Sequence, residues 1–262
     1  MKKLLVLTLT LFLAGTAGAV TLTETIDRTL AVRPGATVAL SNVNGRITIS
    51  SWDQPRVRIL AKKEVDGDRD EARSVMKELK VEIQQRDGGV VVTTHYPRRN
   101  DHGSIFDWLL GNHVDAEVRY ELTVPRTMNV DVRNTNGSIY LAGVAGRHEL
   151  GTTNGKIEVE RCSGSVNAST TNGGIRAELT RVAKGQAMRL ETTNGRIEVE
   201  VPSDLAADVD AGTTNGSIKT DLPITTTRFS RNSLRGTING GGTQLRLRTT
   251  NGGIEIRTST GS

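Results

Sequence analysis

Four acidic residues recur in one phase of the C-terminal half. Glu160, Glu178, Glu200 and Asp221 each stand six residues after the Asn of an Asn-Gly pair. If the segments that carry them stack in register, the carboxylates fall about 4.8 Å apart, the spacing of neighbouring strands. Like charges at that distance repel. Neighbouring Arg161 and Arg181, water, or a hard cation such as Ca²⁺ would relieve the repulsion. A solvated face flanked by arginine is weighed ahead of a metal site at these four residues. Carboxylates strung along one edge make no general-acid pocket, so paired-carboxylate catalysis is not expected.

Other chemistry-bearing residues are sparse. His95, His102 and His113 flank a segment over 97–115 that also holds Asp101 and Asp107. Their spacing matches no metal-ligand pattern, and exposed loop histidines are expected. There is no Gly-x-Ser-x-Gly, no His-Glu-x-x-His and no phosphate-binding Gly loop. The single Cys, Cys162, excludes an intramolecular disulfide. It stands where neighbouring repeats have Val144 and Val182, which predicts a buried, inert thiol. No catalytic residue and no cofactor is assigned. The 97–115 segment carries an apolar knot, Ile105 to Leu110, in a chain with only 3% aromatic residues. Phe106, Trp108 and Leu109 are therefore the candidate partner-binding residues, with capping of the core as the competing role.

The N-terminus reads as an export signal. Lys2 and Lys3 precede an apolar run from Leu4 to Ala14, and Ala17-Gly18-Ala19 fits a cleavage site. Residues 1–19 are expected to be removed, and the mature chain to be periplasmic, surface-borne or secreted. Without Lys2 and Lys3 the net charge falls from +5 to +3, with no Lys/Arg block. That argues against nucleic acid as a partner. No other stretch is apolar enough to span a bilayer.

The elements that position these residues come from a repeat. Asn-Gly occurs at Asn44-Gly45, Asn136-Gly137, Asn154-Gly155, Asn172-Gly173, Asn194-Gly195, Asn215-Gly216, Asn239-Gly240 and Asn251-Gly252. Five of these eight lie inside Thr-Thr-Asn-Gly. Apolar and polar residues alternate on each side, as in Ile197, Val199 and Val201 against Glu198 and Glu200, which predicts half-buried strands. Asn-Gly is expected to supply the positive φ of a tight corner. Signs often alternate at equivalent outward positions, as in Glu158, Arg176, Glu198 and Lys219, which helps if successive repeats are neighbours. The predicted fold is all-β: a β-solenoid, right-handed β-helix-like, of stacked two-strand repeats. An antiparallel hairpin meander is the alternative.

Before Asn136 the chain is less regular. Residues 20–130 form an N-terminal β portion with a helix over 68–80 and the loop over 97–115. In the helix Ala72, Val75, Met76 and Leu79 make one apolar stripe, and Asp68 or Asp70 is placed to cap it. Residues 131–262 hold the regular repeats, continuous with the preceding portion.

An early Asn-Gly-x-Ile, then Trp52-Asp53, a helical insertion and serial Thr-Asn-Gly-x-Ile copies resemble the bacterial "putative adhesin" family. The resemblance covers nearly all of the mature chain and rests on the serial copies. It implies a solenoid-like β fold and a surface or adhesion role, with no catalytic residues to carry over. The expected function is that of a non-enzymatic, exported envelope protein, an adhesin-like binder or scaffold. Its partner would be an unknown protein or glycan at the cell envelope. A polysaccharide-binding or polysaccharide-processing β-helix protein is the alternative.

Overall fold

A computed structural model describes residues 6–9, 20–97, 114–182 and 185–259. The chain begins with β1 (Val6–Leu9), β2 (Val20–Ala31), β3 (Thr37–Ser41), β4 (Ile47–Trp52) and β5 (Arg56–Gly67). Helix α1 (Arg69–Glu78) follows, then β6 (Lys80–Arg86), β7 (Gly89–His95) and β8 (Asp115–Pro125). The repeats comprise β9 (Asn129–Arg133), β10 (Ile139–Ala142), β11 (Ala145–Asn154), β12 (Ile157–Asn172), β13 (Ile175–Arg181), β14 (Met188–Asn194), β15 (Ile197–Val201), β16 (Ala207–Asn215) and β17 (Ile218–Thr220). After them come β18 (Ile224–Ser230), β19 (Ser233–Ile238), β20 (Thr243–Asn251) and β21 (Ile254–Thr258).

Each coil runs up one side of the molecule, turns at Asn-Gly, and returns on the other. The first side, sheet A, has the parallel ladder β3, β9, β11, second half of β12, β14, β20, β16. The second, sheet B, has β8, β4, β10, first half of β12, β13, β15, β21, β17. Every second residue points inward. Ile47, Ile139, Ile157, Ile175, Ile197 and Ile254 stack as neighbours in one buried column. The repeat region is thus a β-solenoid. Among the described residues antiparallel pairing is confined to the ends: β1–β2, β2–β5, β5–β8 and β6–β7 at one, β16–β19 and β18–β19 at the other. In β1, residues that the sequence assigns to the leader pair with Glu24 to Asp27.

The coils do not stack in chain order. β20 pairs with β14 on one edge and β16 on the other, and β21 lies between β15 and β17. The last coil is inserted between the two coils that precede it. The β18–β19 hairpin then covers the outer edge of β16.

Helix α1 is two residues shorter at its C-terminal end than the 68–80 expected, because Leu79 is already extended and leads into β6. Asp68 holds the N-cap position but makes no side-chain cap hydrogen bond. Ala72, Val75, Met76 and Leu79 are buried as the stripe predicts. The buried Lys63 ammonium holds the helix end: it donates to the carbonyls of Met76 (3.4 Å) and Leu79 (2.9 Å) and pairs with Glu24 at 2.8 Å. A cation there also complements the partial negative charge of the helix C-terminus.

Candidate functional site

The corners show what the repeated residues do. Asn136 donates its side-chain amide to Asn44, Asn154 to Asn136, Asn172 to Asn154 and Asn194 to Asn172, at 2.7–2.9 Å. Asn251 continues the chain to Asn194 and Asn215 to Asn251, each at 2.8 Å. The row crosses every coil. At the first end the Tyr96 hydroxyl donates to the Asn44 carbonyl at 3.0 Å, and burial raises its pKa far above the usual phenol value.

The glycines serve close stacking more than turning. None of these corner asparagines has a positive φ, and neither do Gly155, Gly195 and Gly216. A Cβ at Gly137, Gly155, Gly173, Gly195, Gly216 or Gly252 would lie only 1.9–2.2 Å from the carbonyl oxygen of the adjacent coil's glycine. The expected positive φ is present at Gly45, Gly137, Gly173 and Gly252 and at Asn239-Gly240, so it is needed at some corners, whereas the close stacking is shared by the corners between coils. The first Thr of each motif faces inward and donates to that same glycine carbonyl: Thr152 to Gly137, Thr170 to Gly155, Thr192 to Gly173, Thr249 to Gly195 and Thr213 to Gly252, at 2.8–3.2 Å. Asn134 takes this part in its coil, reaching Gly45 at 2.9 Å. The second Thr of each motif is exposed.

The four acids do not form one column. Glu178 and Glu200 are direct neighbours. Glu160 sits on a bulge with Arg161, whose φ is 47°, and accepts a 2.5 Å hydrogen bond from the Tyr140 hydroxyl. Glu200 pairs with Arg176 at 3.2 Å and faces Arg257 in the next strand. The inserted β21 thus separates Glu200 from Asp221, which accepts from the Thr258 backbone at 3.0 Å. Among the described residues no group of three or more His, Cys, Asp or Glu could hold a metal ion.

Cys162 is fully buried, and burial first of all pushes its thiol up to about 11. His148, which the sequence reading left unassigned, is fully buried too. Its register neighbours are Val130 and Val166, so it occupies an inward, aliphatic position. Its Nε2 lies 3.2 Å from the Val144 carbonyl and its Nδ1 makes no hydrogen bond. Burial pushes the imidazole down to about 4, against the opposing pull of the Val144 and Ser163 backbone. The phase of the repeat was the signal that would have found it. His95 is exposed and contacts Glu82 at 2.8 Å.

Phe106, Trp108 and Leu109, with His102 and His113, lie outside the described residues. The segment that holds them leaves from buried Tyr96 and returns at buried Val114, beside the first corner. Among the described residues no helix is long and apolar enough to cross a membrane.

A family model described as Toastrack DUF4097 matches residues 36–257, from the first coil to the last. The chain belongs to this family. No curated protein matches it. Three solved structures are similar to this Toastrack chain. A putative cell adhesion protein from Clostridium sporogenes is 10% identical, over 90% of this chain and 100% of its own, with a TM-score of 0.47. A putative adhesin from Bacteroides fragilis is 11% identical, over 90% and 97%, with a TM-score of 0.27. A putative lipid binding protein from Parabacteroides distasonis is 9% identical, over 90% and 97%, with a TM-score of 0.25.

Proposed function

We propose that this Toastrack chain is an exported, non-enzymatic envelope protein, a rigid adhesin-like scaffold that presents binding surfaces to a protein or glycan of the cell envelope. The observation that carries the reading is where the reactive groups lie. Cys162 and His148 are sealed in the core with both groups held neutral near pH 7. The recurrent Thr, Asn and Gly are engaged with one another at the corners. What remains for a partner is the outer surface of the two sheets and the 98–113 segment with Phe106, Trp108 and Leu109. A fold that buries its nucleophile and devotes its repeats to stacking is suited to recognition on an exposed face.

The test is a two-part measurement. N-terminal sequencing of the chain from envelope or culture fluid is expected to read Val20 first; a protein that keeps Met1 in the cytoplasm overturns export. Purified chain is then incubated with isolated envelope material and sedimented. Saturable retention supports the binding role, and its absence removes it.

A further inference from the structure

The outer face of sheet A holds a depression of about 340 Å³ over β9, β11, β12 and β14. Its floor is Gly151 and Ser169, side by side on β11 and β12. Gly151 is not there for its backbone. It has no positive φ, and an added Cβ would meet only the Ser169 hydroxyl at 3.7 Å and the Val132 carbonyl at 3.9 Å, both ordinary contacts. Two other glycines within the strands behave differently. A Cβ at Gly236 would lie 2.5 Å from the Thr225 carbonyl, and the space above Gly212 is taken by the Arg248 guanidinium. A glycine inside a strand weakens it and commonly marks the close approach of another group. Among the described residues nothing makes that approach at Gly151.

The walls have a defined chemistry. Asp131 and Arg133 approach at 3.6 Å on one side, and Arg189 donates to Glu191 at 2.7 Å on the other. Between them Asn167 donates to Glu149 at 2.9 Å. Asp131 and Glu149 are each steadied by one donor, and Glu191 by Arg189 and, at 3.6 Å, by Arg246; each keeps further acceptor positions open. Three carboxylates against two guanidiniums leave charge close to balance, which favours neither an anion nor a cation. Among the described residues the lining has no aromatic ring. Donors and acceptors interleaved at strand spacing suit a ligand whose groups are each both donor and acceptor, as vicinal hydroxyls are. The volume is at the small end of ligand pockets, which run about 300–1,000 Å³.

We infer that this depression is a saccharide subsite, taking a neutral, hydroxyl-rich sugar unit of an envelope glycan against Gly151, with Glu149 and Arg189 as its main hydrogen-bonding partners. The inference rests on the binding role proposed above and names its ligand class. The purified full chain is titrated calorimetrically with cellotetraose, chitotetraose, maltotetraose and mannotetraose. At least one is expected to bind. Gly151→Val fills the depression with a residue strands favour, so affinity is expected to fall roughly tenfold or more while the melting temperature holds or rises. Glu149→Gln is expected to weaken binding as well, and Lys219→Gln on sheet B to leave it unchanged. Failure of all four sugars to bind at millimolar concentration overturns the site, and so does wild-type affinity in Gly151→Val. Envelope retention that survives Gly151→Val leaves the adhesin reading standing on another surface and does not bear on the site, which the sugar titration alone decides. Loss of sugar binding in Gly151→Val sustains the site even if envelope retention is absent.

Discussion

The Asn172 side chain donates to the Asn154 carboxamide oxygen at 2.8 Å although the two are 18 residues apart. It also accepts from Asn194 at 2.9 Å, so one residue couples three coils. Beside it, Gly173 has no room for a Cβ, which would stand 2.1 Å from the Gly155 carbonyl oxygen. The two neighbours therefore differ in what their loss costs. Asn172→Ala removes exposed amide contacts and is expected to cost about 1 kcal/mol. Gly173→Ala must push two coils apart or distort the corner, and is expected to cost about 3 kcal/mol. Urea unfolding of both variants checks the order. Equal effects would mean that the corner is looser than its stacking distances imply.

Much of this arrangement was legible in the chain. The phase of Ile after Asn-Gly predicts one inward column, and the alternation predicts strands. The order of coils was not legible. Five copies of Thr-Thr-Asn-Gly are near-equivalent neighbours for one another, so the motif cannot say which copy touches which. Charge alternation did not decide it either. Glu198 lies opposite Glu255 rather than Lys219, and Arg189 lies opposite Arg246. These like pairs are relieved locally: Glu255 by Arg257 at 2.7 Å, and both arginines by Glu191. Exposed pairs are worth little beside the buried columns, so they accommodate an order set by the backbone. The acidic column is interrupted for the same reason, since Arg257 enters it only once β21 is inserted.

His148 gives the fold an acid-sensitive point. Its imidazole titrates near 6.5 when unfolded and is pushed down to about 4 by burial. The depressed value means that the neutral form is the one the fold accepts. The stabilisation is complete above about pH 6.5, is lost as pH falls toward 4, and amounts to about 3 kcal/mol. His148→Val places the residue found at both register neighbours, Val130 and Val166, in the same space. The variant is expected to match or exceed the wild type at pH 7 and to lose less stability between pH 7 and pH 4. Parallel denaturation curves at the two pH values read the difference. Identical pH dependence in both proteins would place the acid sensitivity elsewhere.

The 98–113 segment carries the other proposed contact. Its anchors, Tyr96 and Val114, are buried and belong to the fold, so they must be kept. Replacing Asn100 to Asn112 with a short Gly/Ser linker is expected to leave the solenoid folded and to reduce envelope retention. Trp108→Ala alone is expected to lower affinity roughly thirtyfold if the ring is the anchor, the usual cost of an aromatic hot spot. Unfolding of the linker variant would show that the segment belongs to the core. Full retention by a folded variant would leave the sheet faces as the contact surface.

The inserted last coil makes the strongest prediction about stability. In a solenoid stacked in chain order, removing the final repeat would expose one new edge and little else. Here the final strands are internal. β20 supplies ladders to both β14 and β16, and β21 to both β15 and β17. Thr213 and Asn215 also lose their partners Gly252 and Asn251. A chain ending at Gly242 therefore leaves a gap one strand wide with buried polar backbone on both sides. The expected result is loss of amide protection through β14 to β19, with the first four coils still protected in hydrogen exchange. The competing outcome is a slide of the sixth coil onto the fifth, which the likeness of the motifs permits. That slide would bring Asn215 within reach of Asn194, and protection in β16 would persist. Persistence would show that coil order is chosen by the closing hairpin rather than by the last coil's own contacts, and would overturn the view that β20 and β21 hold this end together.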